Sequence, residues 1–103
     1  MTTESFKESW YLMWCSFPDL NWARLRVFAS GHAEVFDCDG RTTRFSREED
    51  ARLWLLEDEF TALEKLDAED EIEFGIRLSD IRVPSGETDE ELLPQMLVRS
   101  ARR

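Results

Sequence analysis

Between residues 57 and 73 the chain carries nine carboxylates and a single lysine, in the runs EDEF and DAEDEIE. Carboxylates at this density offer three chemistries: paired acid–base catalysis, hard-cation binding, and electrostatic recognition of a basic surface. Acid–base work requires one carboxyl group whose pKa is raised by an apolar environment while its neighbour stays ionised. Runs at helix ends and in loops are solvated instead. A calcium loop needs ligands at alternate positions around a glycine and a closing glutamate, and Asp67, Glu69, Asp70, Glu71 and Glu73 do not make that pattern. Recognition remains, and the sequence assigns Glu57, Asp58, Glu59, Asp67, Glu69, Asp70 and Glu71 to an acidic surface.

Other reactive side chains are few. The single histidine, His32, follows Gly31 in a turn, a poor place for a base to meet a serine or cysteine nucleophile. Cys15 and Cys38 lie in strand-like stretches without a C-x-x-C spacing, so they read as small buried hydrophobes kept reduced, and a structural zinc site lacks its ligands. PSGETDE contains one glycine and no phosphate-loop spacing. No catalytic residue, metal ligand or cofactor is therefore assigned, and the expected protein is not an enzyme.

A second set of residues depends on the elements that carry it. The turn signals PDLN, SGH and DG divide residues 10–45 into four β-favouring runs, near 10–17, 22–30, 33–38 and 41–45. Ser46-Arg47-Glu48-Glu49 spells a capping box that opens a helix from Arg47 to about Asp58 or Glu59, with Ala51, Trp54 and Leu55 on one stripe. Thr61–Glu64 spells a second box, predicting a break near Phe60 and a short helix. EIEF at 71–74 has a strand-like alternation. Thr88–Glu91 spells a third box, and Pro94 limits this helix to one turn before an extended segment. The expected fold is α+β, an antiparallel β-meander of about four strands with one main helix packed on one face. All of residues 1–103 belong to a single domain with an irregular segment over 67–103.

Side chains alternate between faces along a strand, and loop length decides which faces meet. With two-residue loops at Ser30-Gly31 and Asp39-Gly40, Ala23, Leu25, Val27, Ala29, Phe36, Cys38, Thr43 and Phe45 share the helix face. A four-residue PDLN loop adds Trp10, Leu12 and Trp14. The other face then holds Tyr11, Met13, Phe17, Trp22, Arg24, Arg26, Phe28, Val35, Asp37 and Arg44. Trp, Tyr and Arg dominate binding hot spots, and a large exposed apolar patch marks an interaction surface. Trp22, Arg24, Arg26, Phe28 and Arg44 are accordingly the expected partner-binding residues, for a protein or for a second copy of the chain. The competing reading is that residues 72–99 fold back over this face, with Arg24 and Arg26 paired to the acids of 67–73.

Charge distribution narrows the partners. The net charge of −10 divides into −1 over residues 1–46, −12 over 47–91 and +3 over 92–103. An acidic chain repels phosphate backbones and anionic lipid, which argues against direct nucleic-acid or membrane binding and favours a basic protein partner. The longest apolar run, WYLMWC, is far too short to span a bilayer, and MTTESFKESW lacks the build of a signal peptide, so the expected location is cytoplasmic. The leading function is a non-enzymatic acidic protein-interaction module: a regulator, an adaptor or an immunity-type inhibitor. The alternative is a nucleic-acid mimic that inhibits a DNA- or RNA-handling enzyme. DCDGRTTRFSREEDARLWLLEDEF together with LSDIRVPSGETDEELLPQM resembles small bacterial proteins, which implies a one-domain bacterial chain and no activity.

Overall fold

Strand β1 (Phe6–Ser16) and strand β2 (Asp19–Phe28) form a long antiparallel hairpin that pairs Phe6 with Phe28 at one end and Trp14 with Leu20 near the other. Residues 5–16 and 19–98 are described by this computed structural model. Strand β3 (Ala33–Phe36) pairs with β2, and strand β4 (Thr42–Phe45) pairs with β3, all antiparallel. The structure is thus an α+β fold built on an antiparallel meander.

Two of the turns contain one residue more than the sequence suggests. The Phe28 N–H donates to the His32 carbonyl at 2.9 Å, and the Gly31 N–H donates to the Phe28 carbonyl at 2.8 Å, which places Ala29, Ser30 and Gly31 in the loop. The next turn repeats the arrangement: Asp37 N–H to the Arg41 carbonyl at 3.0 Å and Gly40 N–H to the Asp37 carbonyl at 3.0 Å. In each the third loop residue is a glycine with positive φ, 99° at Gly31 and 83° at Gly40. That is the three-residue hairpin in which a turn is closed by a left-handed residue. The Asp37 carboxylate secures the second loop by accepting the N–H groups of Asp39 and Arg41 at 3.0 and 3.1 Å.

Face assignments depend on this register, and several expectations are corrected by it. Val35 opposes Leu25 and lies on the helix face, while Phe36 and Cys38 pack on the other. Two one-residue shifts cancel at β4, so Phe45 sits on the helix face as expected. In the first hairpin Tyr11 opposes Ala23. Tyr11 and Met13 therefore face the helix, and Trp10, Leu12 and Trp14 face away, the reverse of the PDLN-loop reading. Phe17 and the Cys15 side chain lie outside the described residues.

Helix α1 (Glu48–Glu57) starts one residue later than expected. Arg47 occupies the cap position without a side-chain cap bond, so the Ser46 capping box is not formed. Glu48, Glu49 and Asp50 still complement the positive helix end. Ala51 and Leu55 are buried against Tyr11, Ala23, Leu25, Ala33 and Val35. Arg52 fastens the helix to the sheet, donating to Glu48 on its own helix and to the Tyr11 hydroxyl below.

After α1 the chain differs from the capping-box reading again. Thr61–Ala62 is not a helix start but a short strand, β5, alongside Leu12 and Tyr11. One 3-10 turn, Leu63–Lys65, comes next. The EIEF stretch is helical, within α2 (Ala68–Phe74), because Asp67 caps it by accepting the Glu69 and Asp70 N–H groups while the Asp70 carboxylate accepts the cap amide. The third capping box does form: Thr88 and Glu91 bracket α3 (Asp89–Leu92), and a 3-10 turn containing Pro94 ends it. Strand β6 (Leu97–Val98) then pairs with Leu20 and Asn21 on the edge of β2 just beyond β3.

The sheet consequently has two cores. One is the α1 side. The other consists of Leu12, Leu20, Trp22 and Phe36 under Leu92 and Met96, with Trp10, Trp14, Leu63, Leu66, Ile81 and Val98 around them. Leu63, Leu66, Ile81, Leu92, Met96 and Val98, from the segment 63–98, therefore cover the face opposite α1. Among the described residues no helix is long and apolar enough to cross a membrane.

Candidate functional site

The five residues expected to bind a partner are not brought to one open surface. Trp22 is fully buried and Arg24 is 2% exposed, both beneath the segment that ends in β6. Trp10 meets the Trp22 ring edge-on, with centroids 5.9 Å apart. The Arg24 guanidinium stands 5.0 Å above the Phe36 ring, and its Nη1 donates to Asp89 at 2.9 Å. The expectation that the C-terminal segment covers this face therefore describes Trp22 and Arg24. Their acidic partners do not come from 67–73. Asp89 serves Arg24 from the first position of α3, and Glu8 serves Arg26 from β1 at 3.0 Å.

Beyond the covered part, the same face carries a row of alternating charge. Arg44, Glu34, Arg26 and Glu8 occupy neighbouring positions on β4, β3, β2 and β1. Arg26 and Glu8 form a close pair, and Arg44 lies 4.0 Å from Glu34. Arg26 also stacks over Phe6 at 4.3 Å, Phe6 meets Phe28 at 5.7 Å, and Phe28 lies flat on His32 at 4.5 Å. These arginines are neutralised within the sheet, which removes the basic character that the sequence suggested for this face.

Among the acidic residues the structure separates two groups. Asp67 and Asp70 are engaged in the α2 cap, and Glu71 accepts the Leu78 N–H at 2.8 Å. Those three carboxylates hold their own backbone. Glu57, Asp58 and Glu59 are exposed and belong to no ion pair among the described residues. They stand in succession at the C-terminal end of α1, where the helix dipole disfavours negative charge. The chain turns there through a left-handed Glu59, φ 66°, with the Phe60 N–H returning to the Leu55 carbonyl at 2.9 Å and the Glu59 N–H to Leu56 at 3.0 Å. This is the Schellman arrangement, and it buries Phe60 beside Leu55 in the core. Glu69 and Glu73 are exposed on α2, again without an ion pair among the described residues.

One feature had no signal in the sequence. Leu20 and Trp22 on one side and residues 74–82 on the other enclose a cleft of about 880 Å³. Its wall is prepared by the left-handed Gly75 at the end of α2 and by the Glu71–Leu78 bond, which fold residues 76–80 back toward β2. Trp14 packs edge-on against Phe74 at 5.1 Å behind that wall. Finding the cleft would have required knowing that β6 pairs with the start of β2.

Elsewhere, the Glu91 carboxyl is held below the usual carboxylate range, because the backbone N–H groups of Glu87 and Thr88 both donate to it. No group of three or more His, Cys, Asp or Glu side chains is arranged to hold a metal ion among the described residues. No family model, curated protein or solved structure matches the chain.

Proposed function

We propose that this protein is a non-enzymatic interaction module that presents its acidic surface, centred on Glu57, Asp58 and Glu59, to a basic protein partner. The observation that carries the reading is the position of these three charges. Carboxylates at a helix C-terminus lower helix stability by about 0.3–1 kcal/mol each, and here no cation within the described residues offsets them. Solubility would be served equally by acids placed where the helix tolerates them. A basic surface docking at this end would compensate the three carboxylates and the helix dipole together.

The test is capture from cell lysate by the parent chain and by the triple variant Glu57→Gln, Asp58→Asn, Glu59→Gln. Each captured protein is then purified and titrated across a salt series. The expected result is a basic partner lost by the triple variant and retained by Glu69→Gln with Glu73→Gln. Equal capture by parent and triple variant refutes the reading. If instead both charge variants weaken binding, the salt slope is steep, and DNA competes for the same partner, the chain acts as the nucleic-acid mimic.

A further inference from the structure

The cleft between β2 and residues 74–82 is independent of that acidic surface and has a different character. Its walls are apolar, formed by Leu20, Phe74, Ile76, Ile81 and Val98. Two features make it more than an apolar groove. Trp22 lines it and is fully buried, yet its indole Nε1–H has no acceptor among the described residues. Buried indole N–H groups ordinarily have a partner, because leaving one unmade costs its full desolvation. The second feature is charge. Arg77 and Arg82 are both exposed lining residues, and neither forms an ion pair with Asp80, which shares the rim, or with any other described residue. Gln95 also lines the cleft, but its side-chain amide is committed to Ser85 and to the Glu91 carbonyl. The donors left unpaired among the described residues are two guanidinium groups at the mouth and the indole N–H of Trp22, buried beneath the lining.

We propose that this cleft binds a small organic carboxylate with an apolar body and a second, inner oxygen acceptor, the pattern of an N-acyl amino acid. The carboxylate is met by Arg77 and Arg82, whose planar donors suit it bidentately. The inner carbonyl reaches the Trp22 indole N–H by displacing the side chains that cover it, and the hydrocarbon portion lies along Leu20, Phe74, Ile76 and Ile81. A volume of about 880 Å³ is within the range of small-molecule sites. The two arginines reverse the local sign of a chain whose net charge is −10 and so select an anion that the rest of the surface repels.

The test uses the full chain labelled with ¹⁵N, with the four tryptophan indole resonances assigned, and N-hexanoylglycine as the probe. The expected result is a saturable downfield shift of the Trp22 indole proton. The primary amide of the same probe, which lacks the negative charge, should bind at least tenfold more weakly. Arg77→Ala with Arg82→Ala, both surface changes, should weaken the acid to the level of the amide and leave the melting temperature unchanged. Nonanoate, which lacks the inner carbonyl, should bind without shifting the Trp22 proton downfield. No saturable shift at millimolar acid overturns the proposal, as does equal binding by acid and amide or by parent and double variant. A probe that binds while the Trp22 proton stays in place overturns the inner contact.

Discussion

Asp89→Ala should lower the stability of the fold by about 2 kcal/mol, although Asp89 itself is an exposed residue. The magnitude comes from the other end of its ion pair. Arg24 is 2% exposed and Asp89 is 52% exposed at the side chain, with 2.9 Å between them. Removing one member of a fully buried pair costs roughly 3–5 kcal/mol, whereas an exposed pair contributes only about 0.2–1 kcal/mol. A pair with one end in each environment falls between these limits. The Arg24 Nε already lacks an acceptor among the described residues, so loss of Asp89 leaves the guanidinium with the Phe36 ring as its main described compensation. Arg24→Met removes the charge and keeps most of the volume, and it should stay within about 1 kcal/mol of the parent. The double variant should match Arg24→Met, because without the guanidinium Asp89 has nothing to neutralise. Urea melts followed by tryptophan fluorescence supply all four stabilities for a double-mutant cycle. If Asp89→Ala melts with the parent, or if the two changes simply add, the ion pair does not anchor the C-terminal segment and the reasoning is wrong.

Three further outcomes are expected. Glu59→Gly should raise stability by about 0.5–1 kcal/mol, since a left-handed non-glycine residue costs roughly 1–2 kcal/mol and the extra freedom of an unfolded glycine offsets part of that gain; a thermal melt decides it. Asp67→Ala and Thr88→Ala should each cost about 0.5–2 kcal/mol as lost caps, while Ser46→Ala should stay within about 0.5 kcal/mol, all read as urea midpoints. The depressed Glu91 pKa stabilises the start of α3 above the carboxyl's unfolded value of 4.5, and this contribution disappears as pH falls through the lower folded value. The protection factors of the Glu87 and Thr88 amides, taken against the intrinsic exchange rate at each pH, should therefore fall on acidification, and Glu91→Gln should remove that pH dependence.

The strands were legible because Asp-Gly, Ser-Gly and Pro-Asp punctuate a region rich in aromatic and β-branched residues. Their faces were not, because a face depends on one residue of loop length. SGH and CDG serve equally for two-residue and three-residue turns, and only the backbone shows that Gly31 and Gly40 each close a three-residue loop. Phe45 was placed on the correct face because two such shifts cancel. Capping boxes were similarly uneven. Thr88 and Glu91 form one, whereas Thr61 is drawn into pairing with β1, where burying Ala62 and Phe60 outweighs a local helix start. Asp67 was missed because its reciprocal partner is Asp70 rather than the usual Glu or Gln. At the candidate sites, the exposure of Glu57, Asp58 and Glu59 could be read from their run. That residues 72–99 fold over Trp22 and Arg24 was one of the two readings of their face; that Asp89 and Met96 are the partners could not be read, since they lie some seventy positions away, beyond the reach of any periodicity.

The pairing of β6 with the first residues of β2 has a consequence for the order in which the chain acquires its structure. Contacts between Leu20 and Val98 close most of the chain into one loop, and contacts of such separation form slowly because the closure entropy must be met first. The meander and α1 are joined by short turns and can assemble while later residues are still being synthesised. Until Val98 has left the ribosome, however, Trp22 and Phe36 have no Leu92 or Met96 above them. Each nascent molecule thus passes through an interval in which a tryptophan-rich sheet face is uncovered. The half-built form, rather than the finished one, is the species whose exposed apolar surface favours aggregation.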